Sequence, residues 1–230
     1  MAESTPTPSE LVQPLTELLL ATLATSGGDH DRAEFLLRYE NPAHKHTALG
    51  GGVLRAVGPA TGEASWEDSA EIDFPDAHPR KTMWNLARRA IEIGVPIRTL
   101  HYGFDRGADG EWQHRLAVET LTEWEALRTE LRPLRKRIEA ELAPLVVDGW
   151  TRIYLYHQAT PPRTSFSVRV GGDEIADQAS QAVHDWSADL TTFLRQRGRG
   201  LISTVFNLAG EPDDWQSSFS VFYGLEPALA

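Results

Sequence analysis

The chain of 230 residues contains no cysteine. That absence excludes disulfides, thiolate zinc sites and cysteine nucleophiles, and it fits a reducing compartment. Long apolar runs are also missing. Leu18-Leu19-Leu20-Ala21 is far too short to span a bilayer. Met1 to Gln13 is polar and Pro-rich, with neither the basic n-region nor the apolar h-region of a signal peptide, so the expected location is cytoplasmic. Catalytic signatures are scarce. There is no G-x-S-x-G elbow and no H-E-x-x-H pair. Gly50-Gly51-Gly52 lacks the Lys-Ser/Thr of a phosphate loop and reads as a flexible hairpin.

Cations are in the minority, with Lys+Arg 22 against Asp+Glu 33 and a net charge of −11. Such a field repels nucleic acid and anionic membrane and attracts basic partners; solubility is its plainer use. What remains is ordinary for a globular protein: 41% hydrophobic and 24% charged residues. The seven Trp exceed what this length needs and are expected to mark core layers.

Residues 1–9 have the composition of a disordered tail. Apolar spacing predicts a helix over Leu11–Ala24, with Ser9 as its cap and Gly27-Gly28 as its stop. Strands follow at Glu34–Glu40 and Gly52–Val57, with a short third stretch at Ala70–Phe74. A helix at Arg80–Gly94 precedes two strands, Ile97–Phe104 and Trp112–Val118, joined by the turn-rich residues 105–110. Glu123–Val146 is a long helical pattern that Pro133 is expected to kink or divide. The strands Trp150–His157 and Ser165–Val170, a helix over Ala176–Arg197, and a last hairpin of Leu201–Asn207 with Trp215–Tyr223 complete the chain.

The two halves therefore share one order of elements. After the turn, the first half reads Asp109-Gly110-Glu111-Trp112-Gln113 and the second Pro212-Asp213-Asp214-Trp215-Gln216. Trp112 and Trp215 lie 103 residues apart, and Trp84 and Trp186 lie 102 apart. Two anchors at nearly one offset predict an internal repeat.

His44-Lys45-His46 and Asp29-His30-Asp31 are weak metal signals without a third ligand at a typical spacing. The acid pairs Glu67-Asp68, Glu71/Asp73 and Asp213-Asp214 suit acid–base chemistry, but no partner is placed beside them. Trp150, Arg152, Tyr154 and Tyr156 share one strand face, either as a binding platform or as core. Acidic loops that carry a Trp suit a hot spot against a basic partner; solvated turns are the plain alternative.

The second half, from about Leu134 to Tyr223, resembles the YezG-like immunity (antitoxin) family. The resemblance lies in an amphipathic helix, then Asp148-Gly149-Trp150-Thr151-Arg152-Ile153-Tyr154-Leu155-Tyr156, then the Phe/Val strand at Ser165–Val170. It continues through Trp186 and Leu190 to Phe193-Leu194-Arg195-Gln196-Arg197-Gly198, and ends in the aromatic strand Trp215–Tyr223. Leu11–Val118 looks like a looser copy. The resemblance implies a small cytosolic protein that binds and neutralises a cognate secreted toxin, often a nuclease. The same outline also resembles peptide-binding secretion chaperones and YbjN-like folds.

The expected fold is α+β: two repeated α-β-β-α-β-β units with antiparallel sheets flanked by helices, over residues 10–120 and 121–230. The expected function is non-catalytic binding of a basic protein toxin domain, without metal or cofactor and without nucleic acid or membrane as partner. The expected contact residues are Trp66, Glu67, Asp68, Glu71, Asp109, Glu111, Trp112, Asp213, Asp214 and Trp215. A peptide-binding module and a hydrolase using loop carboxylates are the alternatives.

Overall fold

The computed structural model describes residues 8–26, 31–40, 42–43, 49–57, 70–72, 79–147, 149–158, 163–212 and 214–225. The chain divides into two compact units, Met1–Ala126 and Leu127–Glu226. The fold is α+β, and each unit contains a five-stranded antiparallel sheet. No helix among the described residues is long and apolar enough to cross a membrane.

Unit 1 runs α1 (Pro8–Thr25), β1 (Arg32–Tyr39), β2 (Leu49–Val57), β3 (Ala70–Ile72), α2 (Pro79–Glu92), β4 (Ile97–Arg106) and β5 (Trp112–Thr120). Its strands lie in the order β3-β2-β1-β4-β5. The period-2 alternation of β1 buries Ala33, Phe35, Leu37 and Tyr39 on one face. Helix α1 covers that face with Leu11, Leu15, Leu19 and Leu23, spaced by whole turns. Two hydrogen bonds pin the layers. The Tyr102 hydroxyl meets Thr16 Oγ1 of α1 at 3.0 Å, and the Tyr39 hydroxyl donates to the Met83 carbonyl of α2 at 2.7 Å.

Helix α3 (Leu121–Leu142) begins in unit 1 and carries most of its length in unit 2. After a 3-10 turn at Ala143–Leu145 come β6 (Thr151–Gln158), β7 (Arg163–Val170), β8 (Asp173–Ala176), α4 (Gln181–Arg195), β9 (Arg199–Glu211) and β10 (Asp214–Leu225). The sheet order is β10-β9-β6-β7-β8. Ser180 caps α4 by accepting the Val183 amide. Trp186 Nε1 donates to the Leu134 carbonyl at 2.9 Å, and its ring meets Phe219 edge-on at 5.9 Å, so α4 is tied to both α3 and the sheet. At the surface Arg137–Asp189 joins α3 to α4, and Glu130 of α3 pairs with Arg197, just past the end of α4.

Several expectations need correction. Each unit holds three strands before its second helix. The short β8 is not expected from the sequence, because Asp173–Ala176 is too brief to show alternation and only Ala176 falls in the expected helix. Gly50-Gly51-Gly52 is part of β2, not a hairpin loop: Arg38 pairs with Gly50 and Leu37 with Gly51, beside a register irregularity at Leu36/Leu37. Pro133 does not divide α3, which runs unbroken from Leu121 to Leu142. Helix α1 begins at Pro8, so Ser9 lies inside it and is not its cap.

The Trp residues are not core markers as a class. Trp186 is buried, while Trp84 is 56% and Trp150 60% exposed. The Trp84/Trp186 anchor therefore fails. Helix α2 buries Met83, Leu86, Ala87 and Ala90, and α4 buries Val183, Trp186, Ser187 and Leu190, so the two buried sets share one spacing at an offset of 100, with Trp186 in the place of Leu86.

The sheets match row by row as well. In unit 1, Leu54, Phe35, Tyr102 and Leu116 form one line across four strands. In unit 2, Phe166, Leu155, Phe206 and Phe219 form the corresponding line. The first three residues of each line are buried, and the last, on the outer strand, is half-buried.

Candidate functional site

Trp66, Glu67 and Asp68 lie outside the described residues, as do His44-Lys45-His46, His30, Asp73 and Asp213. Glu71 is in the short strand β3, opposite Arg55 of β2. The other expected contact residues fall at two hairpin ends, one in each unit.

At the β4–β5 turn the backbone closes on itself. The Gly107 amide donates to the Glu111 carbonyl at 2.8 Å, and the Gly110 amide to the Gly107 carbonyl at 2.9 Å. Asp109 Oδ1 accepts the Glu111 amide at 3.1 Å, which orients its carboxylate within the turn. Asp109 and Glu111 are exposed, and Trp112 is half-buried beneath the Arg106 guanidinium at 6.0 Å. At the β9–β10 end, Asp214 is exposed and Trp215 half-buried. That end is closed by Gly210, whose φ of +148° keeps its Cα against the Asp214 carbonyl; a Cβ there would lie 2.2 Å from that oxygen.

A polar ladder that the sequence reading missed crosses the sheet face of unit 1 opposite α1 and α2. Glu34, Gly103 and Arg115 share one row, with Arg32 and Asp105 in the next. Arg115 pairs with Asp105 at 2.7 Å, Arg32 with Asp105 at 3.5 Å, and His101 Nε2 lies 3.5 Å from Glu34. Burial alone would raise the Glu34 carboxyl. The hydrogen bond and charge of His101, with the charges of Arg32 and Arg115, outweigh burial and hold it below the usual carboxylate range. On the same face the buried Glu119 accepts from Thr99 Oγ1 at 3.0 Å. The signal is present as charge at Arg32, Glu34 and Arg38 of β1, on the side away from Phe35, Leu37 and Tyr39.

Unit 2 has a hollow of about 320 Å³ lined by Thr164, Phe166, Asp177, Gln178, Ala179 and His184. His157 Nδ1 shares a hydrogen bond with Thr164 Oγ1 at 3.0 Å. Burial, then the charge of His184, hold the His157 imidazole below its ordinary value and so neutral at pH 7. Among the described residues no three His, Asp or Glu side chains gather as a metal site.

Glu34 stays ionised at neutral pH, and burial pushes the Tyr102 phenol up to about 12 and the Tyr39 phenol higher still, so both remain protonated donors. In comparisons of this chain with protein-family models, curated proteins and solved structures, nothing matches.

Proposed function

We propose that this chain is a non-catalytic binding protein of the immunity type, which acts in the cytosol by occupying the surface of a basic protein toxin. The observation that carries the reading is the pairing of exposed carboxylates with a half-buried Trp at the hairpin end of each unit: Asp109 and Glu111 beside Trp112, and Asp214 beside Trp215. Exposed carboxylates on a chain of net charge −11 steer a basic partner inward, and a Trp that can be further buried slows its departure. The resemblance of Leu134–Tyr223 to YezG-like immunity proteins supports the same role.

The two units are, in this reading, two copies of one ancestral helix–three-strand–helix–two-strand unit. Support comes from the common element order, the common strand order and the matched apolar rows. The offset between equivalents differs from one element to the next, as expected when loops lengthen and shorten independently.

Co-expression with the product of the adjacent gene tests the function. Restored growth and a stoichiometric complex on gel filtration are expected. Replacing Asp109, Glu111 and Asp214 together by Lys should slow association about tenfold at low salt, with the difference fading as salt rises. Absence of both protection and a complex with the unaltered chain would remove the proposal.

A further inference from the structure

We propose that the outer edge of β10 is the docking strand of this chain, and that its occupant is an extended basic segment of the partner, added as a further strand to the sheet of unit 2. The inference rests on the binding reading above and names the surface and the partner chemistry.

Among the described residues, β10 pairs only with β9. Its side chains are less buried than those of β9, and α3 reaches it at Ser217, whose carbonyl and hydroxyl accept from Arg135. On the helix-facing side of β9, Thr204, Phe206 and Leu208 are buried; one strand further out, Trp215, Ser217, Phe219 and Val221 are only half-buried. On the other face Gln216, Ser218 and Ser220 are exposed.

The sheet edges differ in how they are protected. Exposed edges invite pairing by other chains, and natural proteins blunt them with short strands, charges, Pro or bulges. Strands β3 and β8 are three and four residues long. Strand β5 carries His114 and Arg115 at mid-strand, with Arg115 clamped to Asp105. Strand β10 uses none of these devices from Trp215 to Val221, the sequence Trp-Gln-Ser-Ser-Phe-Ser-Val, which contains no charge, Pro or Gly. Seven residues at about 3.4 Å each exceed a typical strand length, so a full strand can be added.

The occupant's chemistry follows from charge. The acids at the tip, Glu211 and Asp214, are exposed, while the nearby Arg135 is already engaged by Glu139 and Ser217. A segment with Lys or Arg near that tip would meet unpaired carboxylates. A second copy of this chain would instead bring −11 against −11.

Hydrogen exchange on the full chain tests the proposal, with three synthetic ten-residue peptides as probes: alternating Val and Lys, alternating Val and Glu, and the Lys peptide with a central Pro. The Lys peptide should slow exchange of outward amides within Trp215–Val221 about tenfold and leave β5 unchanged. The Glu and Pro peptides should not. The double variant Ser218→Lys/Ser220→Lys, at exposed positions and checked for an unaltered unfolding curve, should abolish the effect. Protection at β5 or nowhere would overturn the proposal. So would protection that grows with concentration of the chain alone, together with a dimer in sedimentation. In co-expression, a partner complex that forms equally well with the double variant would overturn the edge assignment and leave the immunity reading standing. Absence of a complex with the unaltered chain would remove the immunity reading, while the peptide result still decides the edge.

Discussion

In unit 1 the large buried side chains sit on the strands. Phe35, Tyr39, Tyr102 and Phe104 fill the sheet face, and α2 meets them with Met83, Leu86, Ala87 and Ala90. In unit 2 the largest buried side chain, Trp186, sits on a helix, while Phe166 and Phe206 stay on the strands. Helix α4 buries Trp186, Leu190 and Leu194, and β6 and β9 bury Thr151, Ile153, Leu155 and Thr204 beside Phe206 and Leu208. Interiors pack to nearly constant density, so one layer can give up volume only if the layer facing it gains some. The two units thus share one strand order while dividing buried volume differently between helix and sheet.

The largest test of that contrast is Trp186→Ala. It removes the biggest fully buried side chain and the hydrogen bond to Leu134, and it should cost about 3–5 kcal/mol of stability in urea unfolding. Trp84→Ala, at a 56% exposed position, should stay within about 0.5 kcal/mol. Equal costs would break the contrast.

The next test sets the two hairpins against each other. Gly210→Ala combines a positive φ with a Cβ forced against the Asp214 carbonyl and Trp215, and should cost about 2–4 kcal/mol. Gly110 has φ +85° but open space around it, so Gly110→Ala should cost about 1–2 kcal/mol from backbone strain alone.

What could be read from the sequence follows from the range of the forces involved. Helices and long strands show themselves locally: the Leu11–Leu23 spacing and the Phe166/Val168 alternation each mark a buried face without reference to the rest of the chain. Strand β8 is invisible because four residues carry too little periodicity, and only pairing with β7 makes it a strand. Pro133 does not divide its helix because the missing amide and the ring are tolerated where tertiary packing holds the helix on both sides, through Leu131 and Ile138. The Trp84/Trp186 match misled because it was based on identity, whereas the helix positions are equivalent by burial. Of the candidate surfaces, the acidic turns were legible from composition. The Glu34–His101–Arg115 ladder was not, since its members are 67 and 14 residues apart in sequence and meet only through the β1–β4–β5 register.

The smallest effect concerns the sheet faces that point away from the helices. In unit 1 that face holds Glu34; at the matching row position unit 2 has Tyr154, next to Asn207 and Ser218. On this face unit 1 therefore carries a carboxylate whose ionisation is coupled to folding, whereas in unit 2 the carboxyl held low is Glu139 on α3, bonded to Ser217 and Arg135. Glu34 has a native pKa below its ordinary 4.5, so the unfolded chain takes up the proton first as pH falls. Its stabilisation is complete above about pH 4.5 and is lost progressively below, as pH descends through the native value. Glu34→Gln should lower stability at pH 7 and flatten the acid limb of a stability-versus-pH curve. Tyr154→Phe should leave that limb unchanged. The loss at pH 7 and the flattening have one origin, the proton that the native carboxylate refuses, so they must appear together. A Gln variant that loses stability at pH 7 but keeps the full acid slope would show that the ladder acts through packing, not through charge.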